Sequence, residues 1–198
     1  TFTQGNLTHV ENPFSVALEG DGFFQIRTES GELQYTRDGS FEISPVANGN
    51  MLCTSDGNPV LDAYGNQIIL PSNRVATDLV VNQDGTLAFP DGTGNPAVIT
   101  DANGRPVKFG IYQFNNPAGL SKEGSNNYSV TVASGAAVAE NGNAAVKQTR
   151  THQYYTEASN VDVANEMVNL IVAQRAYEMN SKAIQASDEM MQQANALR

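Results

Sequence analysis

Two spacings of apolar residues divide the chain. Up to about residue 132, Val, Ile, Leu, Phe and Tyr come in short or alternating runs separated by Asp-Gly: "GDGFFQI", "YTRDGSFEI", "LCTSDGNPVL", "LVVNQDGTLAF" and "AFPDGTG". A period of two marks strands with one buried face. Asp-Gly supplies the positive φ angles of tight hairpin turns. The pattern predicts strands at Ser15–Leu18, Phe23–Arg27, Leu33–Thr36, Phe41–Ser44, Met51–Thr54, Val60–Asp62, Leu79–Val81, Leu87–Phe89, Lys108–Phe114 and Tyr128–Val132. So many short antiparallel strands make the chain mainly β, a turn-rich small barrel or sandwich occupying residues 14–150, reached through an extended segment at 1–13.

The stretch "VASGAAVAENGNAAV" is small and rich in Gly and Asn, and is expected as an exposed loop. "KQTRTHQYYTEASN" alternates weakly, and 151–159 is expected as an extended connector. After it the spacing becomes three and four. Ser159-Asn160-Val161-Asp162 has the form of a capping box, with Asp162 and Glu166 near the positive end of a helix starting close to Asn160. No Gly or Pro interrupts 160–198. One C-terminal helix is therefore expected, about 60 Å long at a rise of about 1.5 Å per residue.

The apolar positions of that helix form two stripes, read as adjoining. One runs Val168, Val172, Ala176, Met179, Ala183, Ala186, Met190, Ala194 and Leu197; the other runs Val163, Met167, Leu170, Tyr177, Ile184 and Met191, interrupted by Gln174, Ser181 and Asp188. With Ile171 these make a broad candidate contact face. Met179, Met190 and Met191 beside Tyr177 suit packing as well as adaptable binding. No upstream segment offers a second helix of this length, so the face is expected to meet another chain lengthwise, in coiled-coil fashion.

Composition narrows the function. With 198 residues, 40% of them hydrophobic, the chain is long enough for one ordinary core or two small ones. A net charge of −10, with no cluster among its 11 Lys and Arg, speaks against nucleic acid as a partner. Cys53 stands alone, which excludes an intramolecular disulfide and a thiolate metal cage. No apolar run approaches the length of a membrane span, and "TFTQGNLTHV" lacks the regions of a cleavable signal peptide. The start at Thr1, within an extended segment, is expected to belong to a fragment or a processed chain.

No motif carries chemistry. His9 and His152 have no Cys in ligand spacing, "TDANGRPVKF" lacks the oxygen-ligand pattern of a calcium loop, and "GDGFFQ" lacks the third glycine and the helix of a phosphate cradle. No nucleophile elbow occurs. The expectation is a protein that is not an enzyme, with no metal and no cofactor.

"SNVDVANEMVNLIVAQRAYEMNSKAIQASDEMM", residues 159–191, resembles the C-terminal signature of bacterial flagellar rod and hook proteins, and "RAYEMNSKAI" is most similar to the distal-rod members of that family. "FTQGNLTHVENPFSVALEGDGFFQI" and "YTRDGSFEI" resemble the way the same proteins lead into their β domain. The resemblance implies an axial structural protein of the basal body, exported unfolded without a cleavable signal and stacked helically into the rod that carries motor torque across the periplasm to the hook. It implies partners in copies of itself, other rod and hook proteins, the surrounding bushing rings and the export apparatus, and an N-terminal helix that would pack on the C-terminal one. A proximal rod protein or a short hook-type protein fits the same motifs. A carbohydrate-binding or adhesion module fits the β-rich part and leaves the helix unexplained.

Overall fold

A computed structural model describes residues 4–92, 96–143, 145–160 and 163–196. The chain forms two compact units, Thr1–Ser159 and Asn160–Arg198.

In the first unit the alternating runs become strands where apolar side chains can share one interior. The largest sheet has six antiparallel strands in the order Ser121–Gly124, Asn127–Ser129, Leu33–Thr36, Phe23–Arg27, Ile111–Gln113 and Val138–Ala139. Two three-stranded sheets accompany it. One comprises Glu42–Val46, Gly49–Cys53 and Ile69–Leu70; the other comprises Pro96–Val98, Leu87–Pro90 and Val80–Val81. Among the described residues two strand pairs accompany these sheets: Val16–Glu19 with Arg150–Gln153, and Leu7–His9 with Tyr155–Glu157.

These sheets are open, so the barrel alternative is not realised. The strands are too short to tilt around a common axis and close a hydrogen-bonded cylinder. Continuity comes instead from one core. Leu18, Phe24, Ile26, Phe41, Leu52, Val60, Ile68, Leu70, Leu87 and Phe109 belong to a single buried cluster drawing on most of these sheets. A smaller cluster of Phe23, Tyr35, Phe114 and Leu120 lies on the other face of the six-stranded sheet. Phe23 and Phe24 are consecutive strand residues and therefore point to opposite faces, one into each cluster.

Several expected strands change. Val60–Asp62 forms isolated bridges to Ile26, Phe109 and its own neighbourhood, because its backbone changes partner at nearly every residue. Lys108–Phe114 shortens to Ile111–Gln113, since Lys108 and Phe109 bridge Thr86 and Asp62 instead.

The stretch expected as an exposed loop is tied to the body. Val138–Ala139 pairs with Ile111–Gln113, and Ser134 and Glu140 are buried. The Glu140 carboxylate accepts the Thr149 N–H (2.7 Å), the Thr149 hydroxyl (2.6 Å) and the Gln113 amide (2.8 Å). A sequence reading by flexibility misses this, because one buried acid supplies the anchor. Glu140→Ala leaves the Thr149 N–H and hydroxyl without that acceptor, while the Gln113 amide keeps the Lys147 carbonyl, and the loss costs about 2–3 kcal/mol. Urea unfolding should show that loss, and a smaller one for Glu140→Gln.

Turn chemistry follows the Asp-Gly signals in part. At Asp84-Gly85 the glycine has φ of +82°, and the Asp84 carboxylate accepts both the N–H (3.1 Å) and the hydroxyl (2.7 Å) of Thr86. Burial alone would raise the pKa of Asp84; these hydrogen bonds outweigh it and lower it. Gly39, in Asp38-Gly39, is needed for a different reason. A Cβ there would run into the Val16 carbonyl oxygen, which is packed directly against the glycine backbone.

A candidate assembly helix and the strands that lead to it

The chain enters and leaves the β unit through neighbouring strands. Leu7, Thr8 and His9 pair with Glu157, Thr156 and Tyr155. Tyr154, with φ of +64°, is the corner at which the returning chain leaves Val16–Glu19 for Leu7–His9. Its N–H reaches the Ser15 carbonyl and its carbonyl accepts the Val10 N–H, each at 2.8 Å. Gly5 packs so closely on the Ala158 carbonyl that no side chain fits between them.

The second unit is the helix Val163–Ala196, of 34 residues. At the standard rise it is about 51 Å long. Asn160, expected near the start, is not helical, and positions 161 and 162 of the capping signal lie outside the described residues. Glu166 occupies the first turn, where an acid favours the helix dipole. Among the candidate contacts, Met167, Val168, Leu170, Ile171, Val172, Ala176, Tyr177, Met179, Ala183, Ile184, Ala186, Met190 and Met191 are all exposed. Tyr177 reaches 77% and Met179 70%, whereas the phenylalanines at the centre of the main core are fully buried. Val163 and Ala194 lie in the helix, but their side chains are not described, and Leu197 lies outside the described residues.

Regular α-helical geometry corrects the reading of the stripes as adjoining. At about 100° per residue, the stripe through Val168, Val172, Ala176, Met179, Ala183, Ala186 and Met190 fills a sector about 80° wide. Met167, Leu170, Tyr177, Ile184 and Met191 fill a second sector about 120° wide, whose middle lies about 160° around the helix from the middle of the first. Only Asn169, Asn180 and Ser187 separate the stripes on one side. Arg175, Glu178, Lys182 and Glu189 gather on the other, with Ile171 among them. Most of the charges thus crowd into one sector, Glu166 and Asp188 falling within the second stripe, and much of the circumference is suited to burial. Among the described residues no cluster of His, Cys, Asp and Glu could hold a metal, and no helix is long and apolar enough to cross a membrane.

The comparisons agree with both units. Residues 152–197 match the family described as flagellar basal body rod FlgEFG protein C-terminal, and residues 17–89 match the flagellar hook protein FlgE/F/G D1 domain. The flagellar basal-body rod protein FlgG of Borreliella burgdorferi is 39% identical over 201 residues, covering 100% of this chain and 69% of that one. FlgG of Buchnera aphidicola subsp. Acyrthosiphon pisum is 37% identical over 98% of this chain and 69% of its own. The flagellar hook-basal body complex protein FlhP of Bacillus subtilis is 34% identical, with the same shares covered. At such identity over nearly the whole length, covering β unit and helix alike, the chain belongs to the family of flagellar basal-body rod proteins that includes FlgG.

Proposed function

We propose that the chain is a structural subunit of the distal rod of the flagellar basal body and that the helix Val163–Ala196 is its polymerisation element. The carrying observation is the helix itself. Its apolar side chains are exposed on two opposed sides, and most of its charges gather in one sector between them. A helix of this kind gains its stability from neighbours packed along its length rather than from intrinsic propensity. The pairing of the strands through which the chain enters and leaves the β unit supports the same reading, because segments continuing from them would join the unit at neighbouring points.

The rest of the proposal follows from the family. The subunit acts without catalysis, is exported without a cleavable signal, stacks with other axial proteins and turns inside bushing rings as the rod crosses the periplasm. The β unit carries 16 acids and 8 bases up to residue 159, a net −8 of the total −10. A body of one sign resists adhesion to surroundings of the same sign. Electron microscopy of the full-length protein polymerised in vitro tests the reading. A tube with residues 163–196 inside its wall is expected, and polymers leaving those residues open to solvent would overturn it.

A further inference from the structure

The ladder joining the two flanks of the β unit is short, and is tied to the body beside it by Gln4, which donates to the Leu18 carbonyl and accepts the Gly20 N–H, and by the Tyr154 N–H to the Ser15 carbonyl. It consists of three residue pairs, Thr8 and His9 are exposed, and Leu7, Tyr155, Thr156 and Glu157 are only half-buried. Isolated two-stranded pairs are marginal in water.

One charged pair fastens this ladder to the body. Arg37 donates through Nε to Glu157 Oε2 at 3.0 Å, and through Nη1 to the carbonyls of Gly20 at 2.9 Å and Gly22 at 3.0 Å. Its Nη2 lies 3.0 Å from the same Oε2, an ion-pair contact whose N–H directions do not make it a second hydrogen bond. The guanidinium carbon sits 5.6 Å from the centre of the Phe23 ring. The other oxygen of Glu157 accepts the Gly5 N–H at 2.8 Å. Glu157 therefore holds both flanks, and Arg37 holds Glu157 to the turn between two body strands. Each side chain is only 14% exposed, so the pair is shielded far more than an ordinary surface salt bridge.

We propose that Arg37 and Glu157 form a latch that fastens both chain flanks to the β unit and sets how firmly they are held. It deepens and rests on the reading of the chain as a shaft subunit, since load passing between the helix and the β unit would cross this ladder. Lysine cannot replace Arg37, because a point ammonium lacks the planar fork that reaches a carboxylate and two carbonyls together.

Amide hydrogen exchange on the intact chain tests the latch without any rod assembly, so its failure is distinct from failure of the shaft reading. In Arg37→Gln, Arg37→Lys and Glu157→Gln, the amides of Gly5, Val10 and Ala158 are expected to exchange about tenfold faster or more. Those of Leu87, Val107 and Phe109, which donate within the core, should stay within about twofold, because local opening is separable from global unfolding. The double variant should open the ladder no further than the stronger single one, as for a shared interaction. Unchanged ladder amides would overturn the latch. So would an equal rise in the core amides, which would make Arg37 a general stability group.

Discussion

Met179→Asp and Ala176→Asp are expected to abolish rod assembly while leaving the melting of the β unit unchanged. Both positions lie in the stripe that runs from Val168 to Met190, at about 20° and about 80° around the helix from Val168. In the packing proposed for the rod, a carboxylate there would enter a water-excluding seam without a partner, at a cost of several kcal/mol per contact. Each subunit repeats the defect, so the penalty accumulates along the polymer. The helix itself should persist, since exchanging Met or Ala for Asp costs no more than about 0.7 kcal/mol of intrinsic propensity. Glu178→Gln supplies the control, because Glu178 sits in the charged sector and its replacement should leave assembly intact. Normal rods and swimming in cells carrying Met179→Asp would show that this stripe does not hold the shaft together.

Some parts of this molecule were legible in the sequence, and others were hidden for identifiable reasons. Phe23–Arg27 and Leu33–Thr36 were expected with the boundaries they have, because each carries large buried residues between clear turns. Ser121–Gly124 was not, since all four residues are exposed and the strand exists only as one arm of a hairpin with Asn127–Ser129. Arg150–Gln153 and Tyr155–Glu157 read as a connector for a similar reason. Their pairing partners lie near the opposite end of the chain, and no local spacing reports that. The helix was plain from its spacing, yet the relation between its stripes required angular arithmetic as well as intervals of three and four. Arg37 was visible only as part of a turn motif, because its role depends on Glu157 at the far end of the unit.

Phe109→Ala should be the most damaging single truncation in the β unit, lowering its stability by about 3–5 kcal/mol. The ring is 1% exposed, meets Phe24 edge-on at 5.2 Å between centroids and stacks on Phe41 at 5.8 Å. Phe24 and Phe41 also meet edge-on, at 5.0 Å, so the three rings close a triangle. Phe24 belongs to the six-stranded sheet, Phe41 directly precedes the Glu42–Val46 strand, and Phe109 bridges Asp62 through its backbone. Removing one ring therefore loosens several sheets together, which ought to preserve a single cooperative transition at a lower midpoint. For a unit of this size each kcal/mol shifts Tm by roughly 2–4 °C, so a fall of about 10 °C is expected. Phe114→Ala should cost less, because Phe114 is 7% exposed and sits in the smaller cluster. A Phe109→Ala protein that loses under about 1 kcal/mol, or one that melts in two separate steps, would mean that the sheets do not depend on a common aromatic centre.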